Sequence, residues 1–209
     1  WYNQIGIPKT LGTVFILFEK QLTPVEKQNA ITVMENAKFG MTGQNKVWLA
    51  GNVMMRALLQ NDYELVKMAR DTIASEIVTG GAEGIKDDWC FHQHGAQQQF
   101  GNYGLSFVSG MSFFSGLFSG TSLAFDDKQL SILSTLIDKG YRWVIWKGMM
   151  DVNALGRQLF HHAPVHKALS LAFAASELGG GESDECMAVA TALLRDNLSL
   201  IHISEPTRR

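Results

Sequence analysis

The sequence of 209 residues has few cysteines, no cluster of basic residues and no long apolar run. A membrane-spanning helix needs roughly 18 or more consecutive apolar residues, so we expect no membrane segment. The net charge of −2 and the scattered Lys and Arg residues argue against a nucleic-acid or anionic-membrane partner. The two cysteines, Cys90 and Cys186, have no metal-type spacing, and we expect both thiols to be buried.

The two ends of the sequence also lack expected features. The chain begins at Trp1 without an initiator Met or a signal segment. Near the other end, residues 198–208 read LSLIHISEPTR, which resembles a translated sequencing-library adapter. We therefore expect the native part to be residues 1–197 and residues 198–209 to be a non-native tail. The alternative is a genuine frayed tail.

Helix signals are abundant, and 46% of the residues are hydrophobic. Thr-Pro-Val-Glu at 23–26 is a capping box that predicts a helix start. Asn-Asp-Tyr-Glu at 61–64 repeats the same capping box and predicts a helix that runs to about Val78. The apolar stripe predicted for that helix consists of Leu65, Met68, Ala69, Ile73 and Ile77.

Further helices are predicted in the second half of the sequence. Asp126 and Asp127 open one of them, with an apolar stripe of Leu130, Leu133, Leu136 and Ile137. A last pair covers residues 167–178 and 184–194. Strand-like alternation is scarce, so we predict an all-α fold of helical hairpins. Periodicity alone does not choose between a bundle, a solenoid and a toroid.

Three segments are polar or glycine-rich where a helical core would be apolar. They cover residues 42–46, 91–104 and 150–157. Amide, imidazole, phenol and guanidinium groups concentrate in them, and such groups suit a site that binds sugars and transfers protons. Four motifs overlap these segments or precede them: WYNQIGIPKTLG, TGQNKVW, FHQHGAQQQFGNYG and MDVNALGR.

These motifs, in this order, resemble polysaccharide lyase family 8, the group of chondroitin AC, hyaluronate and xanthan lyases. The resemblance spans Trp1 to about Leu178. It implies that residues 1–197 are an internal fragment of a bacterial catalytic α-domain, with the fold of an incomplete α/α toroid of antiparallel helical hairpins. The fragment by itself is expected to be inactive, and a supporting Glu of the family is expected beyond it.

The resemblance implies four catalytic residues: Asn45, His94, Tyr103 and Arg157. The reaction is β-elimination, which removes the proton next to a uronate carboxylate and expels the glycosidic oxygen. Asn45 would polarise the carboxylate, and His94 would share that role or act as base for one uronate epimer. Tyr103 would take the proton and return one to the leaving oxygen. A phenol has an unperturbed pKa near ~10, so Arg157 is a suitable charged neighbour. No metal or other cofactor is needed.

Substrate-binding roles follow from the same resemblance. Trp1 and Tyr2 would form an aromatic platform for sugar rings, and Asn3 and Gln99 would bond hydroxyl groups. His161 stands where the family usually has a second Arg, so the polymer is left open. The expected partner is an anionic polysaccharide, chondroitin or hyaluronan first. The expected protein is a monomer that is secreted or periplasmic.

Alternatives remain open. The protein could be a xanthan-type lyase, a helical-toroid glycoside hydrolase that uses Asp87 or Asp88 with Asp151, or a non-catalytic glycan-binding relative. Asn45 could simply cap a helix. Two sets of histidines could suggest a metal, but structural roles are the expectation for both. These sets are His92 with His94, and His161, His162 and His166.

Overall fold

The computed structural model describes residues 1–179 and 184–204. Helices dominate these residues, and the strands are short, so the all-α prediction is confirmed. By internal contacts the chain divides into two compact units, Trp1–Glu76 and Ile77–Arg209. In the described ranges, no helix is both long and apolar enough to cross a membrane.

The first unit contains four α-helices that pack around α3. They are α1 (Ile7–Leu17), α2 (Pro24–Met34), α3 (Gly43–Gln60) and α4 (Tyr63–Ala74). A π-helical turn, Tyr2–Gly6, leads into α1, and a 3-10 turn, Glu19–Gln21, follows α1. Helix α3 contacts the three other helices and has many fully buried positions, among them Val47, Leu49, Ala50, Val53 and Ala57. It is therefore the central helix of this unit.

The helix starts of the first unit show how local sequence signals act. Thr23 Oγ1 accepts from the Glu26 N–H, and the Glu26 carboxylate accepts from the Thr23 N–H, so the predicted capping box is confirmed. Asp62 caps α4 by accepting from the Leu65 N–H at 3.0 Å. The third helical position there is Leu65, which cannot complete a capping box. The predicted second capping box is therefore wrong, and the helix start has a single cap.

The predicted length and stripe of α4 are wrong in part. The helix ends at Ala74 rather than near Val78, and there the Ser75 hydroxyl donates to the carbonyl of Thr72. Ala69 and Ile73 are buried as predicted, but the side chain of Met68 is 56% exposed. Val66 is buried instead. The buried face is thus rotated from the predicted stripe.

The second unit contains four more α-helices and two small antiparallel sheets. The helices are α5 (Leu105–Phe118), α6 (Asp127–Thr135), α7 (Ala163–Gly179) and α8 (Asp184–Ser204). Strand β1 (Gly84–Ile85) pairs with β2 (Phe91–His92), and β3 (Ile145–Trp146) pairs with β4 (Met149–Met150). Each strand has two residues, which is too short for alternation to reveal it in the sequence. Shorter helical turns are Phe100–Gly104, Leu136–Gly140, Tyr141–Val144 and Val152–Ala154.

The predicted helices of the second unit are confirmed, although α6 ends at Thr135 and α7 and α8 are longer than predicted. Asp126 Oδ1 accepts from the Gln129 N–H, and the Asp126 N–H donates to Gln129 Oε1, which completes a capping box at α6. Of the predicted stripe, Leu133, Leu136 and Ile137 are buried and Leu130 is partly buried. Helix α7 begins at Ala163, and α8 continues to Ser204. The non-native tail stays a prediction, and its residues 205–209 lie outside the described part, as do Gly180 and Gly181.

Tyr141 forms the centre of the second unit's core. Its side chain is fully buried, and its hydroxyl donates to the carbonyl of Phe100 at 3.0 Å. The rings of Tyr141 and Phe100 meet edge to face, with centroids 5.0 Å apart. Burial raises the pKa of the Tyr141 phenol well above its ordinary value, so it stays neutral as a donor. This contact fixes the start of the turn that carries Tyr103.

Candidate functional site

Asn45 lies in the first turn of α3, in a segment that we call the Asn45 turn (residues 42–46). The residue that precedes the helix is Thr42, and Asn45 is the third helical residue, so the alternative that Asn45 caps the helix is wrong. The side chain of Asn45 is 8% exposed. Among the described residues, its buried Oδ1 has no hydrogen-bond partner. The side-chain oxygen of Asn45 is therefore buried but does not cap the helix.

A glutamate from the end of the first unit anchors the Asn45 turn. Glu76 Oε2 accepts from the Gly43 N–H at 2.8 Å, and Glu76 Oε1 accepts from Lys46 Nζ at 2.9 Å. The Glu76 side chain is only 14% exposed. A carboxylate at a helix N-terminus satisfies a free N–H and interacts favourably with the helix dipole. Glu76 thus supplies the capping role that Asn45 does not have.

The predicted aromatic platform lies at the start of the first unit. Trp1 is 56% exposed and Tyr2 is 75% exposed, and Asn3 is exposed beside them. The Trp1 ring meets the Trp48 ring edge to face at 5.9 Å. A Cβ at Gly6 would lie 2.9 Å from the Trp1 ring, so glycine gives that ring its room. Two open aromatic faces of this kind can stack on the apolar faces of sugar rings.

His94 lies at the tip of a tight antiparallel loop in the second unit, which we call the His94 loop (residues 91–99). The Gln93 N–H donates to the carbonyl of Gln97 at 3.1 Å, and the Gln99 N–H donates to that of Phe91 at 2.8 Å. At the tip, His94 and Gly95 both have positive φ angles, 59° and 78°. The loop therefore presents the exposed imidazole from a left-handed backbone conformation, which is uncommon outside glycine.

Glu83 holds this tip in place. Its Oε1 accepts from the Gly95 N–H at 2.8 Å, and its Oε2 accepts from the side-chain amide of Gln93. The Gln93 side chain is 1% exposed. Sequence reasoning missed Glu83, because the residue is 12 positions from Gly95 and no local motif marks the contact.

Tyr103 lies in the π-helical turn Phe100–Gly104, which leads into α5. Its half-buried ring meets the His94 ring edge to face, with centroids 4.9 Å apart and an interplanar angle of 88°. The structure therefore brings two of the predicted catalytic residues into direct contact. A Cβ at Gly104 would lie 2.6 Å from the Tyr141 hydroxyl and 2.9 Å from Phe91, so only glycine fits behind this turn.

The segment before Arg157 packs against the same turn. A Cβ at Gly101 would lie 2.5 Å from the carbonyl of Ala154, so the two backbones are in close contact. Lys167 Nζ donates to the carbonyl of Gly101 and, at 2.6 Å, to Gln158 Oε1. Burial lowers the pKa of Lys167. Sequence reasoning missed this lysine, which ties the Tyr103 turn to the segment of Arg157.

Arg157 itself is exposed and follows Gly156, whose φ is 62°. Gln99 lies close by, since a Cβ at Gly156 would be 3.5 Å from Gln99 Oε1. That oxygen is buried and, within the described residues, has no hydrogen-bond partner. Gln99 is therefore an available polar group beside the arginine segment.

Other histidines and the two cysteines lie outside the set of predicted catalytic residues. His161 and His162 are exposed, and their ring centroids lie 4.5 Å apart just before α7. No group of three metal-ligating side chains occurs in the part of the chain that the structure describes. Cys186 is buried as predicted, but Cys90 is only half-buried, so that prediction is wrong. Burial and the adjacent Asp88 carboxylate raise the pKa of Cys90 to about 12.

Asp88 and Asp151, which a hydrolase would use as catalytic carboxylates, accept hydrogen bonds from residues two positions further along the chain. Asp88 accepts from the Cys90 N–H at 3.1 Å, and its hydrogen bonds to Cys90 lower the pKa of Asp88. Asp151 Oδ1 accepts from the Asn153 N–H at 2.7 Å and from the Asn153 amide at 3.0 Å. Both contacts are those of turn residues. A lowered pKa is also the opposite of what a general acid needs at neutral pH.

Comparisons with known proteins agree with the motifs. Residues 1–178 match the family model of the polysaccharide lyase family 8 N terminal alpha-helical domain. Chondroitinase-AC of Pedobacter heparinus is 30% identical over 162 residues, which are 75% of this chain and 23% of that protein. Xanthan lyase of a Bacillus species is 27% identical over 165 residues, 76% of this chain and 18% of that protein. This chain spans less than a quarter of the length of these relatives.

Solved structures show the same fold. A Paenibacillus xanthan lyase superposes with a TM-score of 0.78 at 21% identity, over 98% of this chain and 22% of the other. A chondroitinase AC lyase also gives 0.78, at 24% identity, over 92% of this chain and 30% of the other. The fold and the polar segments define an α-helical domain of the polysaccharide lyases. The chain belongs to polysaccharide lyase family 8.

Proposed function

We propose that the protein that carries this chain is a polysaccharide lyase that cleaves uronic-acid polymers by β-elimination. The observation that carries the proposal is the edge contact between His94 and Tyr103, at 4.9 Å between ring centroids, in a chain of this family. An imidazole and a phenol in contact can act on the two proton transfers that elimination needs.

The reaction assigns each proton to a group. Tyr103, as phenolate, takes the proton from the carbon next to the uronate carboxylate, and a double bond forms as the bond to the glycosidic oxygen breaks. The same phenol then returns a proton to the leaving oxygen. His94 stabilises the negative charge that develops, or acts as base for one uronate epimer. A guanidinium cation near a phenol favours the phenolate, and we assign this role to Arg157.

Asn45 is proposed as the group that polarises the substrate carboxylate. The carbon acid is very weak while the carboxylate carries a full charge, so a neutral donor that spreads this charge lowers the barrier. The donor would be the Nδ2 amino group of Asn45. Among the described residues the buried Oδ1 makes no hydrogen bond, so the amide is not committed to a structural contact through its oxygen.

Substrate binding is proposed for aromatic and polar residues of each unit. Trp1 and Tyr2 are exposed aromatic side chains suited to sugar stacking, and Asn3 is exposed next to them. In the second unit, Gln99 and His161 would bond hydroxyl or anionic groups of the polymer. The names of the relatives support chondroitin or hyaluronan as substrate, with xanthan as the alternative.

The proposal extends to the whole protein. Polymeric substrates do not enter cells, so we propose that the lyase is secreted or periplasmic and acts as a monomer. We further propose that activity needs a protein of the relatives' length and that residues 1–197 alone do not turn over substrate. Activity experiments therefore use the complete gene product, meaning this chain with any sequence that its gene encodes on either side.

The test is product absorbance across a panel of polymers. The complete gene product is incubated with chondroitin, hyaluronan and xanthan, and absorbance near the ultraviolet edge is followed. An unsaturated uronate absorbs there, so a rise with chondroitin or hyaluronan is expected. Depolymerisation without a rise in this absorbance would contradict the proposal and indicate a hydrolase. Binding without depolymerisation would replace it with a glycan-binding protein.

A further inference from the structure

Glu83 is placed to determine where the His94 imidazole points. Its two carboxylate oxygens accept from the residues on either side of His94: the Gly95 N–H at 2.8 Å and the side-chain amide of Gln93. The carboxylate therefore spans the tip of the His94 loop. Bonds to a charged acceptor are about twice as strong as neutral ones, so this is a firm attachment.

The tip needs such an attachment. His94 has a φ of 59° and Gly95 a φ of 78°, so two consecutive residues are left-handed. A non-glycine residue in that conformation is strained, and neighbouring contacts have to offset the strain. The imidazole itself is exposed, so packing alone does not fix the tip.

The His94 imidazole also contacts the ring of Tyr103, at an interplanar angle of 88°. Tyr103 is held independently, since its turn begins at Phe100, to which the buried Tyr141 donates. The turn that carries Tyr103 is thus attached to the core, whereas His94 lies at a loop tip. The relative placement of the two rings depends on whatever holds the loop.

We propose that Glu83 is a positioning residue that keeps the His94 imidazole against Tyr103 in the geometry for elimination. This inference rests on the proposed function for its effect on turnover, but not for its effect on the loop. Loss of the carboxylate leaves the Gly95 N–H and the Gln93 amide without this acceptor. The tip then samples other conformations, and the fraction of enzyme with the two rings in contact falls.

Kinetics of the complete gene product test the effect on turnover. Misplacing a reacting group by about 1 Å can reduce the rate about 100-fold, so Glu83→Ala should lower kcat about 10- to 100-fold. KM should change less than about threefold, since the proposed positioning role gives Glu83 no contact with the substrate. Glu83→Gln keeps an oxygen for one of the two donors and should give an intermediate loss. The control is Glu35→Gln, the same change of charge at an exposed position of the first unit.

A swap distinguishes positioning from a general loss of stability. Glu83→Gln combined with Gln93→Glu restores a carboxylate–amide pair with its polarity reversed. The side-chain oxygen of residue 83 accepts from the Gly95 N–H, and the carboxylate of residue 93 accepts from the new amide. The double variant should recover most of the kcat that Glu83→Gln loses. If Glu83→Ala does not fold, the conservative variant and the swap decide the outcome alone.

NMR on the 209-residue chain tests the loop without any activity. Glu83→Ala and Glu83→Gln should shift the Gly95 amide resonance and the His94 ring protons, which the Tyr103 ring current displaces in the native contact. Glu35→Gln should leave both unchanged. The inference is overturned by unchanged Gly95 and His94 resonances, or by an active wild type whose Glu83→Ala form keeps its kcat. An inactive wild type would instead remove the proposed function, and the NMR result would still decide the role of Glu83.

Discussion

The Asn45 turn and the His94 loop are both held by a glutamate that accepts from a glycine N–H. Glu76 accepts from Gly43 in the first unit, and Glu83 accepts from Gly95 in the second. The supports differ beyond that point. Glu76 also pairs with the ammonium of Lys46, whereas Glu83 also accepts from a buried amide.

The two segments present their functional groups in opposite ways. Asn45 is buried in a regular helical turn, so the helix itself fixes its position. His94 is exposed at a loop tip with positive φ, so its position depends on the backbone bonds of the loop and on Glu83. The difference teaches that similar anchors have different consequences. Removal of Glu76 should reduce stability, and removal of Glu83 should reduce turnover.

The largest effect is expected for Tyr103, the residue on which the His94 loop converges. Tyr103→Phe keeps the ring and its contact with His94 but removes the phenolic oxygen. Loss of a general acid or base typically reduces the rate about 100- to 10,000-fold, and we expect a loss in this range in the complete gene product. Initial absorbance rates measure it. Tyr63→Phe, at an exposed position of α4, is the control, and equal rates for the two variants would contradict the assignment.

The next effect concerns the amide of the Asn45 turn. Asn45→Ala removes a donor to developing charge, which typically costs about 100- to 1,000-fold in kcat. Stability should not fall, and a gain of about 1 kcal/mol is expected, since the buried Oδ1 lacks a partner among the described residues. Urea unfolding of the chain measures this.

A matched control lies on the same helix. Asn52 is 1% exposed, and its amide donates to the carbonyls of Gln4 and Ile5 at 3.3 Å and 3.1 Å. Asn52→Ala should therefore lose about 1 to 3 kcal/mol of unfolding free energy. If Asn45→Ala lost as much as Asn52→Ala, Asn45 would be a structural residue and the contrast between the segments would fail.

Close packing behind the Tyr103 turn gives a third prediction. Gly101→Ala places a methyl group 2.5 Å from the carbonyl of Ala154, and backbone atoms must shift to admit it. Overpacking of this kind should lower the unfolding free energy by about 2 to 3 kcal/mol. Gly110→Ala, in open space on α5, should instead raise it by up to about 1 kcal/mol. Thermal unfolding of the two variants compares them, and equal shifts would refute the packing explanation.

The smallest effect is expected for the anchor of the Asn45 turn. Glu76→Gln keeps an oxygen for the Gly43 N–H but removes the charge that pairs with Lys46. We expect a loss of about 1 kcal/mol in unfolding free energy, given how little of the Glu76 side chain is exposed. The helix still fixes Asn45, so kcat should change less than about threefold. A large drop in kcat at unchanged stability would show that the two glutamates act alike.

Short local patterns in the sequence predicted much of the fold. The capping box at Thr23, the helix start at Asp126 and the pair α7 and α8 follow from short patterns. The exposed Met68 and the early end of α4 do not, because neighbouring helices decide which face is buried. The two-residue strands are too short to produce a periodic pattern.

The candidate site shows the same division. The roles predicted for Asn45, His94 and Tyr103 came from residue type and from the resemblance in motif order, and they stay predictions. Their supports were not predicted, since Glu76 lies 33 residues from Gly43 and Glu83 lies 12 from Gly95. Such contacts depend on tertiary packing, which no local window contains. The positive φ at His94 had one visible signal, the glycine that follows it.

The most direct test of β-elimination is the fate of solvent oxygen. The complete gene product is allowed to act on hyaluronan in water enriched in oxygen-18, and the products are weighed by mass spectrometry before their anomeric oxygens exchange. Elimination breaks the bond between the uronate carbon and the glycosidic oxygen, which stays on the leaving sugar. We predict products without oxygen-18, together lighter by one water than those of hydrolysis. Saturated products that carry one oxygen-18 per cleavage would contradict the account.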